Sequence, residues 1–335
     1  MTLARSILKS STLFLFTVLI SAGVCELVVR MFVPVRNVGP SFTEYNPIYG
    51  KWLKKNFAAK RITPEFTMRL TTNSEGFRGP ELGSLSRRPI LFLGDSFTMG
   101  YGVNDGQEFP AVIRKSFNAH RHELVPVINA GMGDNGNGRW VIFLRSEAER
   151  YNPALVVLQI CENDVADNIR EHIFELAPDG GLRERPIPPA GARRLAQEIL
   201  ERIPGLANSY LVGLVRQISW DRPTALQQSE FESSSADDRQ ASRAEKLQLR
   251  LLEEALAICK VHGWPVLVVL GGIPNAQRGE LEKFFSQRNV PTVLIPDKVQ
   301  RPELYYKIDG HWNAAGQRFT AARVLEAIQN LHIFN

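Results

Sequence analysis

Residues 89–94 read Pro-Ile-Leu-Phe-Leu-Gly, an apolar run without alternation, and Asp95 and Ser96 follow at once. A strand that is apolar at every position is covered on both faces, the condition of a strand inside a parallel sheet flanked by helices. Open sheets of that kind keep their ligand crevice at the carboxyl ends of the strands. Gly94 lets the chain turn sharply, so Ser96 is expected at such an end, where a base within reach makes a serine a nucleophile. The residues alone leave a second reading open, a turn in which the Asp95 and Ser96 side chains cap the next helix.

The same alternation continues along the chain. Strands are expected at 89–94, 124–129, 154–160, 264–271 and 290–295, with helices at 108–119, 138–150, 239–262, 276–288 and 319–331. That order predicts an α/β fold, a three-layer α/β/α (flavodoxin-like) domain with a five-stranded parallel sheet. The second strand ends in Asn129-Ala130-Gly131-Met132-Gly133-Asp134-Asn135-Gly136, where glycines let backbone amides approach a ligand. The third ends in Cys161-Glu162-Asn163-Asp164, and Asn163 offers a side-chain amide. Backbone amides with an Asn amide are the parts of an oxyanion hole. Before the closing helix stand Asp309-Gly310-His311-Trp312-Asn313. A histidine near Ser96 takes the hydroxyl proton, and an aspartate on its other ring nitrogen fixes the tautomer. The rival for this loop is a helix cap by Asp309 or Asn313.

Four such stretches in this order resemble the SGNH (GDSL-like) hydrolase superfamily, whose blocks contribute Ser, Gly, Asn and His. The resemblance covers roughly residues 70–330. It implies Ser96 as nucleophile and oxyanion donor through its own amide, Gly133 and Asn163 as further donors, and His311 as base, oriented by Asp309. In the second block Gly131, Gly133 and the amide of Asp134 compete for the oxyanion role, and Gly133 is chosen. The family commonly places its Asp three residues before the His, whereas here the two are two apart. The shorter Asp-x-His-Trp form is similar to that of polysaccharide O-acetylation proteins. The lead-in Asn73-Ser74-Glu75-Gly76-Phe77-Arg78-Gly79 is similar to that of membrane-anchored bacterial members.

The resemblance implies a serine-dependent acyl-ester hydrolase or acyltransferase acting on an O-acylated, acetylated cell-surface carbohydrate, with membrane-bound polysaccharide machinery as partner. A lipid-directed esterase is the nearest alternative. A non-catalytic glycan-binding assembly protein on the same fold is a second. No Gly-x-Ser-x-Gly elbow surrounds Ser96, which argues against the ordinary α/β-hydrolase fold.

Outside the blocks, Arg5 and Lys9 precede an uncharged stretch at 10–25, and apolar character runs on to Val35. Residues 1–35 are expected to form an uncleaved, single-pass anchor in a bacterial inner membrane, with Glu26 and Arg30 reaching the interface. Positive charge ahead of the apolar core places the domain in the periplasm or outside. A signal peptide cleaved near Ser21-Ala22-Gly23 is the rival. Residues 36–88 then form a connector packing on the domain, and 89–335 the hydrolase domain, interrupted by an insertion at 168–237. There Pro178, Pro186, Pro188, Pro189 and Pro204 break the alternation. Helices near 190–203 and 208–219 are expected as a cap, and 229–238 as a polar, mobile stretch.

The net charge of +5 is scattered rather than striped, which excludes a nucleic-acid-binding surface of the usual kind. Cys161 and Cys259 read as buried free thiols. No cofactor or metal motif is present: His120 and His122 lack neighbouring ligands and read as a surface pair. The run from 131 to 138 has no Lys-Ser/Thr of a phosphate loop after it. Trp312 is expected either to shape an acyl or sugar subsite or to pack against the cap.

Overall fold

The computed structural model describes residues 2–83, 85, 87–119, 121–203, 205–220 and 234–334. The apolar runs become β1 (Ile90–Leu93), β2 (Val127–Asn129), β3 (Leu155–Ile160), β4 (Val266–Leu270) and β5 (Thr292–Leu294). All neighbours pair in parallel, in the spatial order 2-1-3-4-5. Every residue of β1, β2 and β3 is buried, which is why none of them alternates. The strand order reverses between β1 and β3, so the crevice belongs at the carboxyl ends of those two strands.

Apart from the single turn Ala148–Tyr151, the α-helices among the described residues, in chain order, are α1 (Thr2–Phe32), α2 (Ser96–Met99), α3 (Phe109–Asn118), α4 (Asn137–Ser146), α5 (Asp164–Glu171), α6 (Ala192–Arg202), α7 (Tyr210–Trp220), α8 (Ser234–Val261), α9 (Asn275–Ser286) and α10 (Ala314–Asn330). One face of the sheet is covered by α4, α8 and α9 through a core that includes Trp140, Phe143, Leu252 and Phe285. The opposite face is covered by α3 and α10, around Phe92, Phe109, Trp312 and Val324. This is the expected three-layer α/β/α arrangement with five parallel strands.

Two segments differ from their sequence reading. The connector carries antiparallel pairs, Thr43–Glu44 with Trp52–Leu53 and Ala58–Ile62 with Thr67–Thr71. In the last strand Met68 and Leu70 are buried while Thr67, Arg69 and Thr71 are exposed, a two-residue period too brief to stand out. The insertion opens with a hairpin, Phe174–Leu176 with Leu182–Glu184, turned through Asp179-Gly180, before its helices begin. Residues 221–233, Pro204 and His120 lie outside the described residues, so the polar stretch expected at 229–238 is described only from Ser234, where it is already helix.

Candidate active site

Two close approaches shape the turn after β1. A Cβ on Gly94 would lie 2.1 Å from Thr98 Oγ1, so the turn is closed to any other residue without a shift. Asp95, fully buried, accepts from the Phe97 N–H through Oδ1 at 2.8 Å and thereby caps α2. Because Asp95 does the capping, Ser96 is left facing the crevice. Its Oγ lies 2.6 Å from His311 Nε2.

The other ring nitrogen of His311, Nδ1, lies 2.5 Å from Asp309 Oδ1. The short spacing suffices because Gly310, between them, adopts φ of +88° and folds both side chains to one side. The cap of α10 is a different residue: Asn313 Oδ1 accepts from the N–H groups of Ala315 and Gly316 at 2.8 and 3.1 Å. The rings of Phe97 and Tyr101 flank His311, each with its centroid 5.0 Å away. Trp312 is fully buried, edge-on to Phe97 at 4.7 Å and within the α3–α10 core. It therefore neither lines a subsite nor packs against the cap: a side chain so apolar, one residue from His311, is drawn beneath the loop and anchors it.

The second block sorts its own amides. The Gly131 N–H donates to Asn129 Oδ1 at 3.1 Å, and a Cβ on Gly131 would stand 2.3 Å from Met99 N. Gly131 is thus a packing residue. Gly133 faces Ser96, since a Cβ built on it would lie 3.7 Å from Ser96 Cβ. Among the described residues neither the Ser96 N–H nor the Gly133 N–H donates to a protein acceptor. Lys51 Nζ donates to Gly133 O and Asp134 O, both at 2.8 Å, and fixes the loop from the connector side. Burial holds the Lys51 ammonium down to about 8. Beyond Lys51 a cavity of about 290 Å³ opens, lined by Tyr49, Asp134, Arg139, Arg170 and Ile187 among others.

Asn163 donates through Nδ2 to Asp167 Oδ2 at 2.8 Å, which fixes the amide and leaves its second N–H for another acceptor. Cys161 Sγ lies 3.0 Å from both Asn163 Oδ1 and Asp95 Oδ2, linking the third block to the first beneath Ser96. Burial raises the Cys161 thiol well above its ordinary range, so it is no rival nucleophile. Burial, and then the charge of Asp95, likewise push the Asp164 carboxyl well up. The ligand atoms of Asp95, Cys161 and Asp164 lie within 4.8 Å of one another. Donors aimed at the carboxylates, Asn137 Nδ2 to Asp164 and Phe97 N to Asp95, suit a hydrogen-bond network better than a cation.

Two supports were not visible in the sequence pattern. Glu65, in the connector hairpin, accepts from the N–H groups of Ile308 and Asp309 at 2.8 and 2.7 Å and holds the loop that carries His311. Arg78 of the lead-in, its side chain fully buried, donates to Met99 O, Gly100 O and Val103 O at 2.7–2.8 Å, satisfying carbonyls at the end of α2. Of the paired histidines His122 is exposed, and His120 is outside the described residues.

No protein-family model matches the chain, and no curated protein matches it. Solved structures do. The esterase EstA from a Pseudoalteromonas species is 12% identical, with a TM-score of 0.44 over 73% of this chain and 98% of its own. A GDSL-like lipase from Bacteroides thetaiotaomicron is 13% identical, with a TM-score of 0.42 over 75% and 93%. A two-domain esterase active on acetylated mannans is 13% identical, with a TM-score of 0.38 over 72% of this chain and 49% of its own.

Proposed function

We propose that this chain is a serine ester hydrolase of the SGNH kind, carried on a membrane anchor and acting on an O-acylated cell-surface carbohydrate. The observation that supports it most is the unbroken relay from Asp309 through His311 to Ser96, with contacts of 2.5 and 2.6 Å. In the first half-reaction Ser96 Oγ attacks the ester carbonyl carbon while His311 Nε2 takes its proton. Asp309 stays ionised and stabilises the imidazolium. The N–H groups of Ser96 and Gly133 and the remaining Asn163 N–H meet the oxyanion as it forms. The intermediate collapses as His311 returns the proton to the departing alcohol oxygen, leaving an acyl-Ser96 ester. Water, or a carbohydrate hydroxyl in a transferase, then attacks that ester with the same histidine as base.

The Asp-x-His-Trp form, and the tyrosines and charged side chains among those lining the cavity beyond Lys51, favour a carbohydrate over a bare acyl chain. The described stretch of α1 from Lys9 to Phe32 is long and apolar enough to cross a membrane, and the charges ahead of it favour an exported domain. The purified full chain is to be offered p-nitrophenyl acetate and p-nitrophenyl octanoate, with and without an oligosaccharide acceptor. Acetate turnover that disappears in Ser96→Ala supports the reading, and acetyl recovered on the oligosaccharide assigns a transferase. Activity that survives Ser96→Ala overturns the mechanism, and a strong octanoate preference moves the substrate to lipid.

A further inference from the structure

Helix α6 is turned inside out. Leu195, Ile199 and Ile203 recur at every fourth position on and just after it, and they are 46–60% exposed. The opposite face is the polar one and looks inward. Glu201 pairs with Lys54 Nζ at 2.7 Å and accepts from the Ser41 N–H at 2.7 Å, and Gln197 Nε2 donates to Glu201 at 3.0 Å. A helix on a water-facing surface has the reverse arrangement. On α7, Val215 and Ile218 also point outward, 52–59% exposed, while Tyr210, Leu211 and Leu214 pack inward on Val29, Val35 and Val38.

Both helices gather where α1 ends. Glu26, inside the apolar stretch of α1, does not reach for solvent. Its carboxylate accepts from the N–H groups of Tyr210 and Leu211 at 2.8 and 2.9 Å and from Ser209 Oγ at 2.6 Å, which locks the start of α7 to α1. The chain leaving α1 continues the join. The Arg36 N–H donates to Gln217 Oε1 at 2.9 Å, and Arg216 Nη1 donates to Gly39 O at 3.1 Å. These bonds thus tie the end of α1, with Leu27, Met31 and Phe32 exposed, to α7, and the chain just after α1 to α6, two helices that also carry exposed apolar side chains.

We propose that α6 and α7 lie in the surface of the lipid bilayer that α1 enters, with Leu195, Ile199, Ile203, Val215 and Ile218 at the headgroup–acyl boundary. This rests on the reading of α1 as a membrane helix. That these exposed apolar side chains lie on helices tied to the membrane-entering end of α1 selects lipid over another protein, and an interfacial helix has this combination of one apolar and one polar side. The cap then fixes the hydrolase domain at a set height above the membrane instead of leaving it on a free tether.

The test uses the full chain with Cys25→Ser, reconstituted in vesicles of phosphatidylethanolamine and phosphatidylglycerol. Single spin labels are placed through Leu27→Cys, Ile199→Cys, Ile218→Cys and Val299→Cys, the last on an exposed residue away from the cap. Collision with oxygen, which partitions into lipid, is compared with collision with a water-soluble nickel chelate. Labels at 27, 199 and 218 are expected to favour oxygen several-fold relative to the label at 299. If 199 and 218 meet the nickel chelate as freely as 299 while 27 stays in lipid, the interfacial proposal is wrong and the anchor stands. If 27 also meets it freely, the anchor reading fails and takes the proposal with it. Labels at 199 and 218 shielded from both agents, with a chain that cross-links to a second copy, replace lipid by a homodimer contact and overturn the proposal.

Discussion

Ser96 and His311 stand 2.6 Å apart but are held in different ways. Ser96 sits on a turn whose neighbours, Leu93, Asp95 and Thr98, are essentially inaccessible, between two strands buried on both faces. Asp309 and His311 sit on a loop with side chains about a quarter exposed, at 23 and 24%. That loop is held from outside by Glu65 and from below by Trp312. Ser96 is therefore positioned by the sheet itself, while His311 is positioned by a hairpin that precedes the sheet in the chain. Damage to the first half should remove chemistry or folding outright; damage to the second should loosen geometry by degrees.

The largest effect expected is on the nucleophile. Ser96→Ala should lower kcat on the order of 10⁴-fold or more, with the melting temperature little changed, because beyond His311 the hydroxyl makes one further bond, at 3.2 Å to Asp95 Oδ2, and Asp95 stays held by its cap on α2. A clear fall in melting temperature would mean that Ser96 is part of the scaffold as well. On the base half, Asp309→Asn keeps the shape but removes the charge opposite the imidazolium. Steady-state kinetics should record a loss of roughly 10² to 10⁴-fold in kcat with little change in KM. A loss of less than about tenfold would leave a Ser–His dyad as the better description.

The comparison itself is sharpened by Glu65. Glu65→Ala removes Oε2, the single acceptor of both the Ile308 and Asp309 N–H groups, and should cost about tenfold in kcat, far from any reacting atom. Glu65→Gln, which keeps one oxygen, should recover part of that loss. Equal activity in wild type and Glu65→Ala would show that Trp312 alone holds the loop.

The smallest effect lies beneath Ser96. The Asp164 carboxyl is raised well above its ordinary 3.8, so its neutral form is the one the fold accommodates. Its contribution is therefore complete at low pH and is lost as pH rises through the raised value. Asp164→Asn, neutral at every pH and still able to accept from Asn137, should flatten the alkaline side of the stability curve. Thermal unfolding followed upward from the ordinary carboxylate range, about pH 4, reads this directly, and a variant that loses stability as steeply as wild type would show that Asp164 is not the group responsible.

What could be read in advance follows the same division. β1 and β3 announced themselves because burial on both faces leaves no alternation, and Ser96, Asn163, Asp309 and His311 lie in short motifs at element ends. Gly131 and Gly133 could not be separated from composition, since only the packing of Gly131 on Met99 and its bond to Asn129 distinguish them. Glu65 was beyond reach, because its contact with Asp309 spans 244 residues and no local pattern marks it. Trp312 and α6 illustrate a third limit. A sequence shows that a side chain is apolar or that a helix has two faces, but which direction each takes is decided by the elements that arrive around it.

The central claim, that His311 activates Ser96 within an Asp309–His311–Ser96 relay, is tested most directly by reaction of the full chain with a fluorophosphonate, followed by intact mass and site mapping. The expected result is a single adduct on Ser96, absent from Ser96→Ala and formed far more slowly in His311→Ala. An adduct on any other residue, or labelling of Ser96 at the same rate without His311, would contradict it.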